Sequence, residues 1–124
     1  MKSILLAAAC LGLMAGTALA GGDAAKGEKV SKMCMACHSF TDKTNKVGPY
    51  LFGVVGRPVA SAEGYAYSDA MKACAATGAK WDEATLFKYL ENPKALVPGT
   101  KMGFAGVKKE DDRNNLIAFL KTKM

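Results

Sequence analysis

The chain has 124 residues, half of them hydrophobic, with 17 Lys and Arg against 11 Asp and Glu and a formal charge of +6. That length suits one small domain and excludes a multidomain enzyme. The charge calls for acidic partners, yet the sequence carries neither a groove-reading helix nor an aromatic–basic platform, so nucleic acid is not among them.

MKSILLAAACLGLMAGTALA opens with Lys2, continues as an apolar run from Ile4 to Met14, and ends in the small residues Ala18-Leu19-Ala20. This pattern predicts a secretory signal over residues 1–20, cleaved after Ala20, and a periplasmic domain over 21–124. A membrane anchor is the competing reading, but Gly12 and Gly16 interrupt a stretch barely matching the roughly 20 apolar residues that a span needs. Cys10 falls inside the leader and has too little apolar sequence before it for a lipoprotein signal, so it is set aside. Without Lys2 the chain keeps 16 basic against 11 acidic residues. Cys34, Cys37 and Cys74 remain, an odd number that fits a plain disulfide framework poorly.

Asp23 to about Met33 is expected to be helical, with Asp23 as N-cap and Gly27 as an anomaly that points to close approach of another element. From Ser39 to Gly64 the glycines and Gly48-Pro49 and Arg57-Pro58 break regular structure. A short helix is predicted over Ser68 to Cys74. Asp82 to Glu91 has acids in its first turn, an apolar face of Leu86, Phe87, Tyr89 and Leu90, and Pro93 as its stop. Lys109 to Lys121 repeats that design with Glu110, Asp111 and Asp112 at its start and Leu116, Ile117, Phe119 and Leu120 on one stripe. No alternating run reads as a strand. The expected fold is all-α, a single domain of three to five short helices and long loops. Such a chain makes little core of its own, so a large apolar group would complete it.

CMACH, residues 34–38, admits three readings. A structural zinc site needs four ligands, and His38 is the single histidine; Cys74 would complete Cys3His, but nothing else in the chain supports it. A redox dithiol of the thioredoxin kind follows a strand, whereas this motif follows a helix. In the third reading, Cys34 and Cys37 add across the vinyl groups of one haem and His38 ligates its iron. Export and the small core agree with the third. An electron carrier then needs a second axial ligand, and Met33, Met35, Met71, Met102, Met124 and the lysines are the candidates. Met33 and Met35 lie too near the attachment site to cross the ring, Met124 is terminal, and Met102 sits in the loop LVPGTKMGFAGVKK.

The ordered segments GDAAKGEKV, CMACH, GPYLFGVVGR, GYAYSDAM, KWDEATLFKYLENP, PGTKM, FAGVKK and LIAFLK cover residues 22–122, and together they resemble class I cytochromes c, the bacterial cytochrome c2 and mitochondrial cytochrome c branch. The resemblance implies one covalent haem c wrapped by the helices, held at Cys34 and Cys37, with His38 and Met102 as axial ligands. It implies that Pro49 accepts from the His38 ring, that Tyr67 and Trp81 donate to a propionate with Arg57 close by, that Tyr89 lies near the Met102 sulfur, and that Thr100 orders its loop. Gly27 would mark a helix crossing against Leu116 and Phe119. Two departures stand out: Ser31 replaces an aromatic of that crossing, and Met71 replaces an asparagine near the haem. Cys74 has no role in the family and reads as a small buried hydrophobe.

The implied function is one-electron transfer by a monomeric carrier and not an enzyme reaction. Lys32, Lys46, Lys94, Lys101, Lys108 and Lys109 would ring the haem edge and steer it to acidic sites on a quinol–cytochrome c reductase, a terminal oxidase, a photosynthetic reaction centre or a dehydrogenase. A haem enzyme or gas sensor with an open iron site is the alternative. The c-prime type of that class carries its motif near the C-terminus and lacks a distal methionine, unlike this chain.

Overall fold

The computed structural model describes residues 21–124. The expected leader over 1–20, with Cys10, lies outside the described residues. Five helices follow in order: α1 Ala24–Ser31, α2 Asp69–Ala75, α3 Glu83–Glu91, α4 Pro93–Leu96 and α5 Glu110–Lys121. Among the described residues the nearest approach to a sheet is one isolated bridge between Pro58 and Lys80. The all-α expectation therefore holds.

Three of the four predicted helices start at a capping side chain, and the last, after Lys109, starts without one. The Asp23, Ser68 and Asp82 side chains accept from the backbone N–H of Lys26, Met71 and Thr85, satisfying donors that a helix start leaves open. The first helix is shorter than its expected reach to Met33: Ser31 ends it, and turns carry the chain through Cys34 to His38. Pro93 stops α3 as expected but also begins α4, where a missing N–H costs nothing at the first helical position. At the end of α3, the Lys108 ammonium donates to the carbonyls of Glu91 (2.8 Å) and Ala105 (2.9 Å). This places a cation at a helix C-terminus, where the dipole favours it.

α1 and α5 make the most extensive contact between helices. Their axes approach at Gly27, where a Cβ would overlap the Asn115 carbonyl and come within 2.8 Å of the Phe119 Cβ. The close partners are thus Asn115 and Phe119, while Leu116 is buried nearby in the core. Asn115 also takes the Asp23 N–H on its side-chain oxygen at 2.8 Å. Ser31, which stands in place of the family's aromatic, is fully buried, and its hydroxyl donates to the Glu28 carbonyl at 2.6 Å. A small, internally satisfied side chain permits the crossing to stay tight. Cys74 is fully buried, as anticipated.

The core runs from Phe40, Val54 and Val59 through Trp81, Leu86, Tyr89 and Val97 to Leu116, Ile117, Phe119 and Leu120. Half-buried apolar side chains from separate loops and from α2 border it, among them Cys34, Leu51, Val55, Met71, Met102 and Phe104. No described helix is long and apolar enough to cross a membrane.

Gly27→Ala should lower the unfolding free energy by about 1–3 kcal/mol, because the added methyl has backbone in its place and the helices must separate. Guanidinium unfolding of the haem-loaded protein measures it, and an unchanged midpoint would show that the crossing is looser than described.

Candidate functional site

The site grows from the turn that follows α1. The Cys37 and His38 N–H groups both donate to the Cys34 carbonyl (3.1 and 3.0 Å), so the CMACH segment is coiled tightly. Cys34 and Cys37 are unpaired and half-buried. Burial pushes the Cys34 thiol up, and the neighbouring Cys37 adds to the effect. Downstream, the Gly48 N–H donates to the Cys37 carbonyl at 2.8 Å and the Leu51 N–H to the Ser39 carbonyl at 2.8 Å, which lays segment 48–51 along the motif.

That pairing fixes the imidazole. His38 Nδ1 lies 2.6 Å from the Pro49 carbonyl oxygen. A carbonyl only accepts, so the proton belongs on Nδ1 and the Nε2 lone pair is left for an electrophile. Burial, the largest effect, holds the ring's pKa below the ordinary histidine range; the Pro49 bond opposes it, and the Lys46 charge reinforces it. A Cβ at Gly48 would press on the imidazole, 2.8 Å from Nδ1 and 2.9 Å from Nε2, so the glycine is required by the ring beside it.

A second group gathers around Arg57. Its two terminal nitrogens donate to the carbonyls of Phe52 (3.2 Å) and Tyr50 (3.1 Å), and its guanidinium sits 4.8 Å from the Tyr50 ring centroid. Its Nε is buried with no hydrogen-bond partner. Burial lowers the Arg57 pKa, while Tyr67 and Tyr50 act in the opposite direction. Tyr67 accepts the Ala62 N–H on its hydroxyl at 3.0 Å and keeps its own proton to donate. Trp81 reaches this region because its backbone N–H donates to the Arg57 carbonyl at 2.8 Å and its carbonyl accepts from the Gly56 N–H at 2.7 Å.

The third group holds Met102. Trp81 packs against Tyr89 with ring centroids 4.8 Å apart, and the Tyr89 hydroxyl hydrogen-bonds Thr100. Burial nonetheless leaves the Tyr89 phenol above its ordinary pKa, so it stays protonated. Thr100 Oγ1 accepts the Met102 N–H at 3.3 Å, a long but direct tie between this phenol and the methionine loop. Met102 itself is half-buried on the border of the core that Cys34 also borders.

The six predicted surface lysines are all exposed. Three of them are tied down: Lys46 donates to the Met35 carbonyl, Lys101 to that of Ala66, and Lys108 to those of Glu91 and Ala105. Sequence reasoning missed these ties, and it missed Asn45, which accepts from the Tyr50 N–H and donates to the Glu63 carbonyl. It read Gly48 only as a loop breaker; the pair Gly48-Pro49, ten residues after a lone histidine, was the available signal. Among the described residues, no three His, Cys, Asp or Glu side chains converge to hold a metal ion. The arrangement offers instead two thiols and one imidazole nitrogen on one segment, a thioether on another, and an orphaned cationic donor against the Tyr50 ring.

No family model matches the chain. It is 50% identical to a cytochrome c2 of Rhodomicrobium vannielii over 99% of this chain and 98% of that one. It is 46% identical to a cytochrome c2 of Rhodospirillum rubrum over 98% of each. Among solved structures, cytochrome cH from Methylobacterium extorquens matches with a TM-score of 0.75 and 50% identity over 82% of this chain and all of that one. Half the residues shared along nearly the full length, on the same fold, show that the chain belongs to the cytochrome c family of electron-transfer proteins, which carry one covalently bound haem c and are not enzymes.

Proposed function

We propose that Cys34 and Cys37 anchor the haem, that His38 and Met102 are its axial ligands, and that the mature protein is a soluble periplasmic shuttle of single electrons. The observation that carries this reading is the His38 ring, fixed by Pro49 and Gly48 with Nε2 left available, one residue after the second of two unpaired cysteines. The residues present suit the group. The half-buried apolar side chains Leu51, Val55, Met71 and Phe104 match a flat hydrophobic ring, and the orphaned Arg57 Nε calls for an anionic acceptor such as a propionate.

When bound, the haem supplies a ferrous–ferric couple. His38 and Met102 would hold its iron with this chain's own side chains. By accepting the hydrogen bond of the Nδ1–H, Pro49 would strengthen His38 as a ligand, and the soft Met102 thioether would favour the ferrous state and so raise the potential. Thr100 and Tyr89 hold the Met102 loop, and Tyr67 and Trp81 stand with Arg57 to meet negative charge. Core burial keeps water from the site and works against the added charge of the ferric state. Lys32, Lys94 and Lys109 extend from the surface to steer acidic partners, with Lys46, Lys101 and Lys108 as fixed charges. A respiratory or photosynthetic complex or a dehydrogenase is the proposed partner. The segment 1–20 directs export and is removed after Ala20.

Met102→Ala should open one axial position. The reduced variant should bind carbon monoxide readily at neutral pH where the parent does not, and its potential should fall by more than about 60 mV, a tenfold change in a one-electron equilibrium. An unchanged spectrum and potential would exclude Met102 as ligand. Gly48→Ala should push the imidazole off Pro49 and cost about 1–3 kcal/mol of stability in the haem-loaded protein, read by guanidinium unfolding.

A further inference from the structure

Met102 stands in a loop whose two ends are sunk in the core. Val97 closes one end and Val107 the other, and both side chains are buried. Val97 leaves α4 with its N–H on the Pro93 carbonyl at 2.9 Å, and the Thr100 N–H turns back onto the Val97 carbonyl at 3.0 Å. The far end is held by its backbone. The Val107 N–H donates to the Leu90 carbonyl at 2.7 Å, and Gly106 lies so close to the Glu91 carbonyl that a Cβ would overlap it. The returning loop thereby covers the C-terminal end of α3, where carbonyls lack partners within the helix.

Arg113 completes this end of the loop. Its Nη1 donates to the Val107 carbonyl at 2.9 Å and to the Lys108 carbonyl at 3.1 Å. Val107 is therefore bonded at its N–H by α3 and at its carbonyl by α5. The same guanidinium rests on the Phe87 ring of α3, 4.3 Å from the centroid. Among the described residues Arg113 is the one charged side chain buried in the core, at 5% exposure, and no described carboxylate pairs with it. Its Nε is buried without a hydrogen-bond partner. A buried cation lacking a counterion is costly, and here two carbonyls and a ring face offset that cost. The start of α5 does not call for this side chain, since Glu110, Asp111 and Asp112 fill its first turn and the Arg113 N–H reaches the Lys109 carbonyl at 3.1 Å.

We infer that Arg113 is a positioning residue for Met102: by pinning Val107 it keeps the methionine loop short and closed, so that the thioether stays in place as a ligand. The inference rests on the His38 and Met102 reading and deepens it. With Val107 fixed, the free part of the loop ends five residues after Met102. With Val107 released, that free part extends to the start of α5, and the thioether gains room to swing away. Hydrogen bonds from a cation are stronger than neutral ones, so the latch resists opening more than a backbone pair alone would. Arg113 also belongs to the helix that crosses α1 at Gly27. Through it the crossing that places CMACH also holds the loop that carries Met102.

The test titrates the ferric, haem-loaded mature protein with imidazole, which can take the sixth position only while Met102 is away from it. The apparent affinity then scales with the fraction of molecules whose loop is open. Arg113→Met, which keeps an apolar stem over Phe87 and removes the donors, should bind imidazole on the order of tenfold more tightly than the parent. Arg113→Lys should show a smaller gain, because an ammonium reaches less far and does not stack flat on the ring. Gly27→Ala, which loosens the far crossing, should melt earlier yet keep the parental affinity. An affinity unchanged in Arg113→Met, or in Arg113→Lys where Arg113→Met does not fold, would overturn the inference. An equal gain in Gly27→Ala would also overturn it, since general loosening would then suffice. Met102→Ala separates the two readings. If it binds imidazole far more tightly while the Arg113 variants match the parent, only the inference falls; if it binds no better than the parent, the Met102 assignment falls with it.

Discussion

The crossing of α1 and α5 at Gly27 is the constraint on which the rest of the molecule depends. It ties the described chain's two ends, with Asp23 and Asn115 bonded across 92 positions of sequence. Everything from residue 32 to 109 is then one long excursion closed at its base. The CMACH turn leaves α1 immediately after Ser31, so its thiols and imidazole inherit their position from that crossing. Closing so long a loop has an entropic cost that grows slowly with length, which is why one close helix contact can secure it.

Within the excursion, charged side chains act as straps more than as surface charge. Arg57 binds the carbonyls of Tyr50 and Phe52, Arg113 those of Val107 and Lys108, Lys101 that of Ala66, and Lys108 those of Glu91 and Ala105. Loops without ladders leave backbone acceptors open, and cationic donors satisfy them with stronger bonds than neutral donors give. Part of the basic excess therefore serves the fold. By contrast, the ion pair between Lys121 and Glu83 at 3.3 Å is half-exposed and contributes little.

Much of this was legible in the sequence because it is local. Asp23 announced its helix as a cap, the acids after Asp82 announced another, and Pro93 marked a boundary. The family resemblance extended that to Arg57, Tyr67, Trp81, Tyr89 and Thr100, which the fold does bring into two connected groups. What could not be read was non-local. That Lys101 would reach a carbonyl 35 residues away, or that Asn115 would face Gly27, depends on loop paths no periodicity encodes. Ser31 is instructive, because it stands in place of an aromatic and its buried hydroxyl is satisfied by the Glu28 carbonyl. The helix α4 escaped notice because a four-residue segment carries no periodic signal.

In the proposed site two distant segments, CMACH and the loop after Thr100, meet at one haem. Selective carbon-13 labelling of the methionine methyl groups in the reduced, haem-loaded protein tests it directly by proton–carbon NMR, since a thioether bound at the iron lies inside the porphyrin ring current. One methyl, that of Met102, should lie far upfield of all others. An upfield methyl belonging to Met71, or five methionine methyls all in the ordinary range, would contradict it.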